Sequence, residues 1–137
     1  MTKILISDEN ILVQEFLLQN KKILVVDDYE ETQELTKIFL EFTSANIFLA
    51  QNGKQAVDCV MNETYDLILM DMQMPVMDGY SAILEIRKMG ITTPIIAVTG
   101  LVRKEDEKRC FDVGCDAHLA KPYNRLGLIR SVYDTIV

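Results

Sequence analysis

The chain is poor in paired cysteines, histidine, positive charge and long apolar runs, and each shortage removes a class of function. The cysteines are three, Cys59, Cys110 and Cys115, with no Cys-x-x-Cys spacing. An odd, scattered set argues against a disulfide framework or a zinc site. All three fall in or beside apolar helical stretches, so free thiols in a reducing cytosol are expected. A single histidine, His118, leaves a His-dependent triad or a histidine metal cluster without its parts. Its plain reading is a half-buried strand residue. Lysine and arginine total 14 against 21 acids, for a net charge of −7. Such a surface disfavours nonspecific contact with nucleic acid or anionic membrane. No apolar run is long enough to span a bilayer. The opening residues lack a basic region followed by an apolar one, so a secretory signal is not expected. Gly-x-x-x-x-Gly-Lys-Ser/Thr, Gly-x-Gly-x-x-Gly and Gly-x-Ser-x-Gly are all missing, which removes the P-loop, dinucleotide and nucleophile-elbow chemistries.

What is present fits one domain, or one domain with a short extension: 137 residues, 49% of them apolar. The stretch from Asp66 to Gly79 organises the rest. Residues 67–70 form an unbroken apolar run, too short for a typical helix and suited to a strand buried on both faces. Asp71 follows at its C-terminal end, where open α/β sheets bind their ligands. Taken alone, an aspartate there equally well caps the next segment. Pro75 and Asp78-Gly79 mark a loop and turn before a helix.

The same pattern repeats along the chain. Further strands are predicted over 23–26, 47–50, 95–98 and 117–120. Between them fall helical apolar sets: Leu35, Ile38, Phe39 and Phe42, then Ala56, Val57, Val60 and Met61, then Ile83, Leu84 and Ile86. Asp28 and Glu31 have capping-box spacing, and Asn52-Gly53 reads as a turn. A charged helix over 103–112 turns Cys110 and Phe111 inward, with Gly114 as its C-cap. The last helix holds Leu126, Leu128, Ile129, Val132, Tyr133 and Ile136. Five strands alternating with five helices predict a five-stranded parallel sheet, order 2-1-3-4-5, with helices on both faces. The domain is expected over 21–137, preceded by an extension over 1–20. In that extension Lys3–Glu9 resembles Lys22–Asp28, and Asp8 heads a short helix through Ile11, Leu12, Phe16 and Leu17. Deleting residues 1–20 is expected to leave the domain folded and to change self-association.

In that order four neighbouring strands deliver Asp27 and Asp28, Asp71, Thr99 and Lys121 to one rim. Three carboxylates so close repel one another, so a cation must compensate or one acid must take a proton. Lys121 supplies one positive charge, and a divalent ion is the natural second. Oxygen ligands with room for water suit Mg²⁺. A carboxylate in such a pocket can attack phosphorus and form an acyl phosphate. Asp71, on the middle strand, is the best-placed nucleophile, and Gly100 leaves space beside the incoming group.

Taken together, the acidic pair Asp27-Asp28, the run Asp71-Met72-Gln73-Met74-Pro75-Val76-Met77-Asp78-Gly79, Thr99 after an apolar strand, and Lys121-Pro122 resemble the receiver domains of two-component response regulators. The separations of 43, 28 and 22 positions between Asp28, Asp71, Thr99 and Lys121 fit as well. Asp8-Glu9 stands too far from Asp71 to be the acidic pair. The resemblance covers residues 21–137. It implies that Asp71 accepts a phosphoryl group from a phosphohistidine on a histidine kinase or phosphotransfer protein. It implies Mg²⁺ held by Asp28, Asp71 and the Gln73 carbonyl, with Asp27 acting mainly through water, and Lys121 and Thr99 on the phosphoryl oxygens. It implies a cis bond before Pro122. The family switch pairs the Thr hydroxyl with an aromatic residue three before the Lys; here that position is His118, which adds a pH-sensitive group.

The run Asp116–Pro122 is most similar to receivers attached to hybrid histidine kinases. Gln73 and Leu101 are expected to influence the lifetime of the phosphorylated form. With no output domain after Val137, the chain is read as a stand-alone regulator or the receiver of a longer hybrid kinase. A cytoplasmic location, a downstream protein partner and a homodimer fit this reading; direct nucleic-acid or membrane binding does not. Two other functions stay open: a degenerate receiver that only binds a partner, and a Mg²⁺-dependent phosphohydrolase. Gln73 counts against the latter, because an acid/base Asp is expected there.

Overall fold

The computed structural model describes residues 15–100 and 103–137. Its elements are β1 (Lys22–Val26), α1 (Glu30–Glu41), β2 (Asn46–Ala50), α2 (Gly53–Asn62), β3 (Leu67–Asp71), α3 (Gly79–Lys88), β4 (Ile95–Thr99), α4 (Lys104–Val113), β5 (Ala117–Ala120) and α5 (Arg125–Ile136). The strands form one parallel sheet in the order β2-β1-β3-β4-β5, as the alternation of elements predicts.

The sheet divides the core in two. Along β3, Ile68 and Met70 pack on one face with α2 and α3, while Leu67 and Leu69 pack on the other with Leu128, Ile129 and Val132 of α5. That is the two-residue period of a strand. Every residue of β3 and β4 is buried. Each such aliphatic side chain contributes about 1.5–3 kcal/mol of burial. The central strands are therefore the firmest part of the molecule, and their C-terminal ends carry the polar groups.

Several helix faces differ from the sequence expectation. On α1, Leu35 and Ile38 are 50% and 60% exposed. The buried residues are Gln33, Thr36 and Leu40. Gln33 turns in because its Nε2 donates to the Ala50 carbonyl at 2.8 Å, and a buried amide needs such a partner. Met61, Leu84 and Phe111 are likewise exposed. On α4, Cys110 alone is buried. The Asp28–Glu31 capping box does not form. Tyr29 is the N-cap of α1 and makes no side-chain cap bond; its N–H is held instead by Asp27 Oδ1 at 2.9 Å. Asn52 is a helix cap rather than a turn residue, accepting from Gln55 N–H.

Residues 15–20 form a turn, not the end of a helix. Leu18 within them is fully buried in the α1–α5 core. Ile11, Leu12 and the Lys3–Glu9 run lie outside the described residues, as does Leu101.

Candidate functional site

The site is built from strand ends and the short loops that leave them. At the end of β1, Asp27 is buried and Asp28 is exposed. Asp27 Oδ1 accepts the Tyr29 N–H, two residues on. At the end of β3 the device recurs: Asp71 Oδ1 accepts the Gln73 N–H at 3.0 Å. Short carboxylates make such local turns readily. Each of these two acids is thereby oriented by its own backbone. Asp27, Asp28 and Asp71 each offer a carboxylate oxygen, and those three atoms lie within 4.8 Å of one another.

Lys121 reaches this cluster from the end of β5. Its Nζ stands 3.3 Å from Asp71 Oδ2. Its backbone N–H donates to the Thr99 carbonyl at 2.8 Å, so β4 fixes where the lysine starts. The Lys121-Pro122 bond is cis. Thr99 is buried at the end of β4, beside Ala120. His118 lies half-buried on β5 opposite Ala97, one sheet face shared with Thr99. Its Nε2 is buried without a hydrogen-bond partner. Gln73 is exposed at the rim.

Electrostatics follow from this crowding. Burial pushes the Asp27 carboxyl above its ordinary range, the Tyr29 N–H pulls it down, Asp71 and Asp28 raise it and Lys121 lowers it. A hard cation with oxygen ligands relieves such a cluster, and the donor set of three carboxylates fits one. Two groups absent from the sequence reading complete the surroundings. Thr36 Oγ1 and Tyr123 Oη are 2.6 Å apart. Burial raises the Tyr123 phenol, with Thr36 and Lys121 opposing and Asp27 and Asp71 adding to the rise. Thr36 shares one buried helical face with Gln33 and Leu40, but two polar members of three leave that face unmarked in the sequence.

The α3 N-terminus packs against the end of β3. Asp78 caps it, accepting the Ser81 N–H at 2.8 Å. A Cβ at Gly79 would stand 2.5 Å from the Asp71 carbonyl oxygen and 2.7 Å from Met72 Cα. Glycine is required there by close approach, not by backbone conformation.

The family model of the response regulator receiver domain matches residues 23–133. The chain belongs to this family. The receiver is 38% identical over 117 residues to an uncharacterised 14.6 kDa protein of Leptolyngbya boryana, covering 84% of this chain and 89% of that one. It is 34% identical over 134 residues to probable histidine kinase 2 of Oryza sativa subsp. indica, covering 85% of the receiver and 13% of the kinase. Among solved structures it is similar to the receiver domain of a sensor histidine kinase from Pseudomonas aeruginosa, at 37% identity and a TM-score of 0.79, covering 85% of this chain and 98% of that one. That structure is described with a magnesium ion coordinated in its active-site cleft. The receiver thus matches most of one relative and a small segment of the rice kinase. Among its described residues no helix is long and apolar enough to cross a membrane.

Proposed function

We propose that this receiver accepts a phosphoryl group on Asp71 from a phosphohistidine of a histidine kinase or phosphotransfer protein, in a Mg²⁺-dependent reaction. The carrying observation is the approach of Lys121 Nζ to Asp71 Oδ2, 3.3 Å, beside three carboxylates. Asp28, Asp71 and the Gln73 carbonyl would hold the ion, and Asp27 would act through water. Mg²⁺, when bound, neutralises charge on the phosphoryl oxygens. The rest is the work of the chain. Asp71 Oδ1 is oriented by the Gln73 amide and Oδ2 faces Lys121, so Oδ2 is the nucleophile. Its lone pair forms the O–P bond as the P–N bond of the donor breaks. The departing imidazole keeps the electron pair and takes a proton from solvent water. Lys121 follows the transferred oxygens, and the Thr99 hydroxyl donates to one of them. Thr99 and His118 then form the switch read by a downstream partner, or the group passes on to another histidine. The three cysteines are free, which suits a reducing cytoplasm.

Intact mass after treatment with a small phosphodonor and Mg²⁺ tests the reading. Wild type is expected to gain one phosphoryl group, and Asp71→Asn none. A wild type that stays unmodified favours a module that only binds. Rapid turnover of a phosphomonoester without an adduct favours a phosphohydrolase.

A further inference from the structure

Beneath the acidic rim lies a cavity of about 10 Å³. Its polar lining is Asp27, Asp71, Thr36 and Tyr123, and the rest of the wall is aliphatic side chains of the sheet. That volume is about the room one water molecule needs, and a buried water persists where it finds roughly two to four polar partners. Two carboxylates and two hydroxyls supply them.

The hydroxyls come from separate elements. Thr36 sits in the middle of α1, 2% exposed, and Tyr123 follows Lys121 and the cis bond. They share one hydrogen bond of 2.6 Å, and either oxygen can donate. With Thr36 as donor, the Tyr123 O–H is released toward the cavity. A water there accepts that proton and has two of its own, one for each carboxylate. Both hydroxyl protons and both water protons then have acceptors. A phenylalanine at 123 would fill the same space and leave the carboxylates without this support.

We propose that Tyr123 and Thr36 are positioning residues that act through one ordered water to fix the Asp27 and Asp71 carboxylates from the side opposite the incoming phosphoryl group. This deepens the proposed function and rests on its reading of Asp27 and Asp71. Neither hydroxyl touches the reacting atoms. Partners behind a metal ligand set its orientation, and their loss typically weakens metal affinity about 10–100-fold.

Three variants separate positioning from bulk: Tyr123→Phe removes one oxygen, Thr36→Val keeps the volume without the hydroxyl, and Thr36→Ser keeps the hydroxyl. By titration calorimetry with Mg²⁺, affinity is expected to fall about tenfold in Tyr123→Phe and in Thr36→Val. The double variant falls no further, because the pair acts as one unit, and Thr36→Ser restores the loss. A crystal structure is expected to place a water against Tyr123 Oη and both carboxylates, and to show it lost with a rotated Asp27 carboxylate in Tyr123→Phe. Unchanged Mg²⁺ affinity in folded Tyr123→Phe overturns the proposal, as does a dry cavity in wild type. An equal loss of affinity in Leu18→Ala, far from the rim, assigns the effect to general stability and overturns it too. A wild type that binds no Mg²⁺ and takes no phosphoryl group removes the functional reading instead. The two crystal structures then still decide whether the hydroxyl pair holds the acids.

Discussion

At the scale of single residues, the tightest constraint beside Asp71 is a missing side chain. A methyl group at position 79 would press on the Asp71 carbonyl at 2.5 Å and on Met72 Sδ at 2.6 Å. Backbone does not yield as a flexible side chain does. Gly79→Ala is therefore expected to cost about 2–3 kcal/mol, in the range of overpacked cores, and to slow phosphorylation by shifting the loop after β3. A urea midpoint matching wild type would contradict this. The residues that the sequence made legible are those that end strands: Asp27, Asp28, Asp71, Thr99 and Lys121 each interrupt an apolar run. Thr36 and Tyr123 were not legible: Tyr123 stands in a polar loop between Pro122 and Asn124, and Thr36 lies off the face that Leu35 and Ile38 suggest for its helix. What draws Thr36 inward is a hydroxyl 87 positions away in the chain. No local pattern records that.

At the scale of elements, one arginine ties α3 to its surroundings. Arg87 donates from Nε to the Gly114 carbonyl, from Nη1 to the Ile91 and Thr93 carbonyls, and from Nη2 to Asp116 Oδ2, each at 2.9 Å. Asp116 in turn accepts the Ile95 N–H that opens β4. The guanidinium fork matches four acceptors at once, which an ammonium does not. Arg87→Ala is expected to destabilise by about 2–4 kcal/mol, since charged hydrogen bonds are lost and carbonyls are stranded. Arg87→Lys should recover less than half of that in thermal or urea unfolding. Element type and order were legible from periodicity and turn residues. Helix facing was less so. In α1 the apolar positions Leu35 and Ile38 suggested one face, yet the sheet takes Gln33 and Thr36. Periodicity reports a stripe; it does not report which stripe finds partners.

At the scale of the whole molecule, the N-terminal residues and alkaline pH test how the pieces hold together. Leu18 is fully buried, and its N–H donates to the Thr43 carbonyl at 3.1 Å. Removing residues 1–20 therefore takes a core side chain with it, at a cost of about 2–4 kcal/mol. Removal of 1–14 leaves Leu18 in place. The shorter deletion is expected to melt near wild type and the longer one well below; equal melting would separate Leu18 from the core. Burial pushes the Tyr65 and Tyr80 phenols and the Cys115 thiol up to about 12, from ordinary values of 10.0 and 9.0. The unfolded chain loses these protons first, so stability is full below about pH 9 and drains away toward 12. A melting temperature that held constant from pH 8 to 11 would contradict this. The twin turns at the ends of β1 and β3 carry a last implication. Asp27 and Asp71 each spend one oxygen on the amide two residues ahead, a reach that glutamate, one methylene longer, does not reproduce. Negative charge alone is not interchangeable at these two places. Swapping in the longer acid to imitate a permanently switched-on form should give a slackened, misdirected carboxylate instead.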